Sequence, residues 1–152
     1  MFRDITTLIK ESRLFNAVVN KLANKFKNKN INKVVAVEAR GFILGGAIAY
    51  KLKAGFVPVR KKGKLPHKTK EATYQLEYGT DALQIHEDAI KPQDNVLIVD
   101  DLLATGGTAA AVCDLVTQLQ GKIAGIVFLI ELKHLKGREK LKEHELYSLI
   151  RF

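Results

Sequence analysis

Three apolar runs, Val34-Val35-Ala36-Val37, Val96-Leu97-Ile98-Val99 and Ile126-Val127-Phe128-Leu129-Ile130, contain no polar residue at alternate positions. Successive residues of a strand point to opposite faces, so a strand with one wet face alternates. An unbroken run implies a strand covered on both faces, as in a parallel sheet between helices. Helical periods separate the runs. Leu14, Val18, Leu22 and Phe26 recur every four residues, with Phe15 and Val19 beside them, and Ser12 is the expected N-cap. A second helix is expected over residues 41–52, where the Gly45-Gly46 pair admits close backbone packing. A third is expected over residues 108–119, stopped near Gly121. Strand and helix alternate, which predicts an α/β domain with a mainly parallel sheet. Phe56-Val57-Pro58-Val59 predicts a further strand, placed by its proline at an edge or a strand end. At 152 residues, the chain has the length of one domain, residues 1–152.

Residues 61–87 break this rhythm. Five lysines (Lys61, Lys62, Lys64, Lys68, Lys70) precede Tyr74-Gln75-Leu76-Glu77-Tyr78-Gly79, and Leu83 and Ile85 then alternate with polar neighbours. The expectation is a long loop plus a weak hairpin strand, and long loops in compact domains are often functional.

Charge narrows the partners. Lys and Arg number 25 against 16 Asp and Glu, a net charge of +9, which attracts nucleic acid, acidic membranes or a polyphosphate substrate. No stretch approaches the roughly 18 uninterrupted apolar residues of a membrane helix. The opening Met1-Phe2-Arg3-Asp4 does not read as a signal peptide. One cysteine, Cys113, cannot form an intrachain disulfide, which suits a cytoplasmic protein. It lies inside the third predicted helix and is expected to be a small buried hydrophobe. His67, His86, His134 and His144 lack metal-ligand spacing and are expected at the surface.

Chemistry concentrates in Val96-Leu97-Ile98-Val99-Asp100-Asp101-Leu102-Leu103-Ala104-Thr105-Gly106-Gly107-Thr108. A buried strand carries two adjacent carboxylates to its C-terminal end, the edge where open α/β sheets bind ligands. A small-residue loop then opens a helix. Its backbone N–H groups and the helix N-terminus form an anion seat, and Thr105 and Thr108 add hydroxyls. The glycines are not followed by the Lys-Ser/Thr of a Walker A loop, and the chain has no GxGxxG. Paired acids would repel a phosphate but can accept hydrogen bonds from two sugar hydroxyls or hold a divalent cation. Acids beside a phosphate seat therefore point to a ribose phosphate. The plainer alternative is that either acid only caps the turn.

This segment resembles the 5-phosphoribosyl-1-pyrophosphate (PRPP) motif of the type I phosphoribosyltransferases, in the wording of the branch that acts on adenine. Four further stretches are similar. Glu38-Ala39-Arg40-Gly41-Phe42 resembles that family's pyrophosphate loop, and residues 60–78 its mobile catalytic loop. Leu135-Lys136-Gly137-Arg138-Glu139-Lys140-Leu141 resembles its C-terminal segment, and Phe2-Arg3-Asp4-Ile5-Thr6 its element near the base. The resemblance implies a type I phosphoribosyltransferase-like fold, with a mobile catalytic loop and a small base-binding hood. It implies a cytoplasmic homodimer that converts adenine and PRPP to AMP and pyrophosphate. Mg²⁺ would be carried by PRPP, with no direct side-chain ligand. Asp100 and Asp101 would hold the ribose hydroxyls, and Ala104, Thr105, Gly106, Gly107 and Thr108 the 5′-phosphate. Arg40, Lys61 and Lys64 would face the pyrophosphate, and Tyr78 would help close the site. Glu77 would handle the proton at the purine, as the catalytic residue. Phe2, Arg3 and Leu132 would line the adenine pocket.

Two other readings accompany this one. The same chemistry could serve hypoxanthine, guanine or xanthine. A PRPP-binding regulator could instead bind nucleic acid, with Tyr74 and Tyr78 stacking on bases. Against the family pattern, about twenty residues normally precede the Phe-Arg-Asp element. Their absence is expected to weaken adenine binding and dimerisation more than the phosphate seat. Ala36 stands where glycine is common.

Overall fold

The computed structural model describes residues 4–76 and 78–152. Seven strands form one sheet in the order β3-β4-β2-β1-β5-β6-β7. They are β1 (Lys33–Val37), β2 (Gly55–Lys61), β3 (Thr69–Gln75), β4 (Thr80–His86), β5 (Asn95–Leu103), β6 (Lys122–Glu131) and β7 (Leu146–Arg151). The five from β2 to β7 are mutually parallel, and β4 and β3 add an antiparallel hairpin at one side. The helices are α1 (Thr6–Ile9), α2 (Ser12–Phe26), α3 (Arg40–Leu52) and α4 (Gly107–Gln118).

The unbroken runs behave as their composition requires. Val35, Val37, Ile98, Ile126 and Phe128 pack on the face covered by α4. Their neighbours Val34, Ala36, Leu97, Val99, Val127 and Leu129 pack on the face covered by α2 and α3. Period-two geometry thus divides each run between two cores, and both sides need apolar residues. Burying a large side chain contributes about 1.5–3 kcal/mol, and Phe26 and Leu22 on α2 are fully buried.

Local details depart from expectation. Ser12 is the first residue of α2 and Glu11 is the N-cap, without a side-chain hydrogen bond. The helix begins one residue early because Phe15 N–H already bonds to the Glu11 carbonyl, 2.9 Å away. Leu14 is 48% exposed, so the stripe on α2 is carried by Val18, Val19, Leu22 and Phe26. Of the glycine pair on α3, only Gly45 meets the sheet: a Cβ there would come within 2.6 Å of the Ala36 Cβ, while Gly46 faces open space. Alanine at position 36 is thus accommodated because Gly45 faces it. Helix α4 ends with Gln120, not Gly121, in the left-handed conformation (φ 65°). Pro58 lies within β2, between β4 and β1. Strand β4 pairs only with Arg60 and Lys61, so Pro58 has no ladder partner on the side that its missing N–H would serve. The segment expected as loop plus weak strand is a regular hairpin: Thr69–Gln75 pairs with Thr80–His86 through seven rungs. Strand β7 has no counterpart in the sequence reading.

The topology creates the site. Strands β1 and β5 are neighbours, yet the chain leaves β1 into α3 on one face and leaves β5 into α4 on the other. Their C-terminal ends therefore diverge and open a crevice at a topological switch point.

Candidate active site

Two adjoining cavities occupy that crevice and share Asp100, Leu102, Ala104 and Thr108. The smaller, about 80 Å³, is lined by the loop that follows β5, including Thr105, Gly106 and Gly107, and floored by Phe128. The larger, about 260 Å³, is lined by Glu38, Ala39 and Arg40 after β1, by Lys61 and Tyr74, and by both aspartates.

The small cavity is backbone-rich for a physical reason. Gly106, the N-cap of α4, is left-handed at φ 85°, a conformation that costs glycine little. It turns the chain so that the first N–H groups of α4 face the cavity without intrahelical partners. They form a positive seat beside the Thr105 and Thr108 hydroxyls.

Electrostatics divide the acid pair. Asp101 is buried, and its Oδ2 lies 2.9 Å from Arg40 Nε, an ion pair joining the two loops across the crevice. Asp100 accepts a hydrogen bond from the Asp101 N–H at 2.9 Å. Burial, and next the neighbouring Asp101 charge, push the Asp100 carboxyl well above the usual carboxylate range. Such a group gains from any ligand that brings hydroxyl donors or positive charge to it. A Cβ on Gly41 would come within 2.9 Å of Asp100 Oδ1, so α3 begins against this carboxylate with no side chain between.

Glu38 ties the β1 loop to β2: its Oε1 accepts the Lys61 N–H at 2.7 Å and lies 3.3 Å from Arg60 Nε. On the far wall, Lys61 Nζ lies 3.6 Å from Asp81 Oδ2. The Tyr74 hydroxyl donates to the same carboxylate oxygen at 3.4 Å. Burial and the Asp81 charge push the Tyr74 phenol up. A half-buried tyrosine held in this way lines a cavity and is not a free platform for stacked bases.

The structure thus brings Arg40, Lys61, Asp100, Asp101, Ala104, Thr105, Gly106, Gly107 and Thr108 to one crevice. Lys64 and Tyr78 are exposed and lie outside both linings. Leu132 also lies outside them and packs against the α2–α3 core. Glu77, Phe2 and Arg3 fall outside the described residues. Cys113 is buried, and burial pushes its thiol up to about 12. His67 and His134 are exposed, while His86 and His144 are partly covered. Sequence reasoning missed Tyr74 as a cavity wall and Asp81 as the carboxylate that holds it. It also missed Glu131, which is 3% exposed and bound to Arg138 through two hydrogen bonds of 3.0 and 2.6 Å. The approach of Tyr74 and Asp81 becomes visible once the β3–β4 register is known, and no local pattern marks the Glu131 pairing.

Among the described residues, no group of three or more His, Cys, Asp or Glu side chains is placed to hold a metal. None of the described helices is long and apolar enough to cross a membrane.

Comparison with known proteins gives a consistent result. Residues 6–149 match the family described as phosphoribosyl transferase domain. The adenine phosphoribosyltransferase of Trichlorobacter lovleyi is 55% identical over 152 residues, 100% of this chain and 89% of that protein. The crystal structure of adenine phosphoribosyltransferase from Thermoanaerobacter pseudethanolicus superposes with a TM-score of 0.97 at 49% identity, covering 99% of this chain and 88% of that one. The Saccharomyces cerevisiae enzyme, solved with an imino-altritol bisphosphate and adenine, superposes with a TM-score of 0.92 at 41% identity, over 97% and 86% of the two chains.

Proposed function

The chain belongs to the phosphoribosyl transferase family, and from that membership we propose that it is a purine-salvage transferase converting adenine and PRPP to AMP and pyrophosphate. One observation carries the assignment: Asp100, Asp101 and Arg40 meet the 104–108 loop at one crevice, in a chain related over its whole length to adenine-specific enzymes. The crevice matches PRPP in charge and layout. The small cavity takes the 5′-phosphate through the loop N–H groups, Thr105 and Thr108. Asp100 and Asp101 accept hydrogen bonds from the ribose hydroxyls. Arg40 and Lys61 face the pyrophosphate across the large cavity, and Lys64 and Tyr78 reach it when the mobile catalytic loop, residues 60–78, closes.

Bond changes define what the residues must do. Purine N9 attacks C1′ with its lone pair, the bond from C1′ to the pyrophosphate oxygen breaks with its electron pair on that oxygen, and the purine loses its imidazole proton, which sits on N7 in the reacting form. Arg40 and Lys61 stabilise the charge that collects on the departing pyrophosphate, and a guanidinium can do so with two parallel hydrogen bonds. Lys61 is 60% exposed beside Asp81, so little energy opposes its exchange from that partner to the substrate. Glu77 stabilises the N7–H form of adenine, which leaves N9 free to attack, and accepts the N7 proton as the N9–C1′ bond forms. Leu132, with Phe2 and Arg3, belongs to the base side of the site.

Mg²⁺ fits this arrangement as part of the substrate. It prefers phosphate oxygens and waters to a cage of side chains, so it would be carried by the PRPP oxygens with no direct side-chain ligand, the aspartate pair meeting it only through water. Bound there, it neutralises charge on the leaving group. The protein acts as one domain in the cytoplasm and as a homodimer. Ile43 and Tyr50, spaced for one face of α3, and Phe56 of β2 expose large apolar side chains suited to a second copy.

The test is direct. With PRPP and Mg²⁺, the purified protein makes AMP from adenine faster than it makes nucleotides from hypoxanthine or guanine. A ranking led by hypoxanthine overturns the base assignment, and no nucleotide from any purine overturns the reaction.

A further inference from the structure

We propose that the ion pair between buried Glu131 and half-buried Arg138 is a positioning device for the loop at residues 104–108: it fixes the backbone of Gly137 as the floor on which that loop rests. The proposal depends on the reading that this loop receives the 5′-phosphate.

Contact between the two backbones is the starting point. A Cβ on Gly137 would land on the Ala104 carbonyl oxygen, and would also come within 3.0 Å of the Gly106 nitrogen. In the other direction, a Cβ on Gly106 would come within 2.5 Å of the Gly137 carbonyl oxygen. No side chain separates the segments, so a displacement of Gly137 passes directly into the turn that aims the N–H groups.

Upstream, Gly137 is carried by one 3₁₀ turn, Lys133–Leu135, closed by the Leu135 N–H on the Leu132 carbonyl at 3.1 Å and the Lys136 N–H on the Lys133 carbonyl at 3.0 Å. It follows Lys136, which is left-handed at φ 53°, and it opens a short 3₁₀ turn, Gly137–Leu141. Arg138, the next residue, supplies the anchor. Its Nε and a terminal nitrogen donate to the two oxygens of Glu131 at 3.0 and 2.6 Å, and its other terminal nitrogen donates to the Leu146 carbonyl at 3.4 Å. A planar guanidinium held at two oxygens is fixed in direction as well as distance.

The acceptor is itself rigid. Glu131 is the last residue of β6 and is paired in the ladder with Leu103, the residue from which the loop departs β5. On its other side it is paired with Arg151 of β7, whose Nε lies 3.2 Å from Glu131 Oε2. The loop is thus gripped from both directions. It leaves the sheet beside Glu131, and the segment it rests on is bolted to the same carboxylate. Lysine at position 138 would keep the charge and lose the two-point geometry.

The experiment compares ligands that share parts of the site. Calorimetric titrations of AMP, adenosine and pyrophosphate are made on the wild type, Arg138→Gln, Arg138→Lys and a control, Val19→Ala, on α2 away from the crevice. Arg138→Gln is expected to weaken AMP about tenfold, to leave adenosine and pyrophosphate within about twofold, and so to erase most of the advantage of AMP over adenosine. Arg138→Lys folds with less disturbance and should lie between the wild type and Arg138→Gln. Val19→Ala, destabilised by lost packing, should keep the advantage. Equal weakening of AMP and pyrophosphate would mean that Arg138 only supports folding, and overturns the proposal. So does an Arg138→Gln protein that keeps the full AMP advantage, because Leu141, buried in the core, would then suffice to seat the turn. A wild type that binds AMP no better than adenosine overturns the phosphate-seat reading, and this proposal with it.

Discussion

Replacing Glu131 by glutamine keeps the side chain's shape and removes its charge from between Arg138 and Arg151. The ion-paired hydrogen bonds from Arg138 hold the Glu131 carboxyl at about 2, against an ordinary value of 4.5. At about 1.4 kcal/mol per pH unit, that difference sets a ceiling of about 3.5 kcal/mol on its contribution to stability. Both arginine side chains keep water contact, at 39% and 49% exposure, which trims the figure to about 2 kcal/mol. The sign follows from the depressed value. The contribution is complete above pH 4.5 and disappears as pH falls towards 2. Urea unfolding should therefore find Glu131→Gln about 2 kcal/mol less stable than the wild type at pH 7. By pH 3 the gap should shrink to less than half. Asp4, Asp81 and Asp94 are also held low by hydrogen bonds, but they occur in both proteins and cancel in the difference. A gap that stays constant between pH 7 and pH 3 would refute the reasoning, since it would place the cost in packing and not in charge.

Other outcomes follow from the crevice. Asp100 is raised, not lowered, so ionising it costs stability as pH climbs above the unfolded carboxyl value. Asp100→Asn should be at least as stable as the wild type at pH 7 while losing PRPP turnover, and a clear drop in thermal midpoint would contradict this. Glu77→Gln should lower kcat about 10²-fold or more with PRPP affinity little changed, and single-turnover kinetics will show whether chemistry is the slowed step. EDTA should abolish AMP formation and added Mg²⁺ restore it, and full turnover in EDTA would remove the cation from the reaction.

The central strands are legible in the sequence because β1, β5 and β6 are buried on both faces and leave a signature no other element imitates. Strand β3, Thr-Lys-Glu-Ala-Thr-Tyr-Gln, buries only Ala72 and resembles a polar loop until its partner is known. Strand β7 has a single buried residue, Ser148, so its composition carries no inward pattern. In the site, local motifs deliver the residues that share a loop: Asp100 and Asp101 with 104–108, and Glu38 with Arg40. Pairings made by tertiary approach, Arg40 with Asp101 and Arg138 with Glu131, have no spacing to betray them. Pro58 teaches a related lesson. Its tolerance in an interior strand depends on how far β4 extends along β2, which is a property of the neighbour.

The strand order has a consequence in time. Strand β1 emerges from the ribosome with β2 soon behind it, but its other neighbour, β5, is made only after the whole β3–β4 hairpin. Until then the growing chain carries an open edge along Val34, Val35 and Ala36, the residues that will pair with β5. Such an edge is a template for pairing with other chains, and domains built on distant pairings close slowly. Arg40 waits through the same interval for Asp101. No intermediate that lacks the β5–α4 unit can recognise substrate, so ligand can rescue the protein only in the late steps of folding. Protection of the nascent chain must come from elsewhere, and the stretch of synthesis between β1 and β5 is where a holding chaperone would matter most.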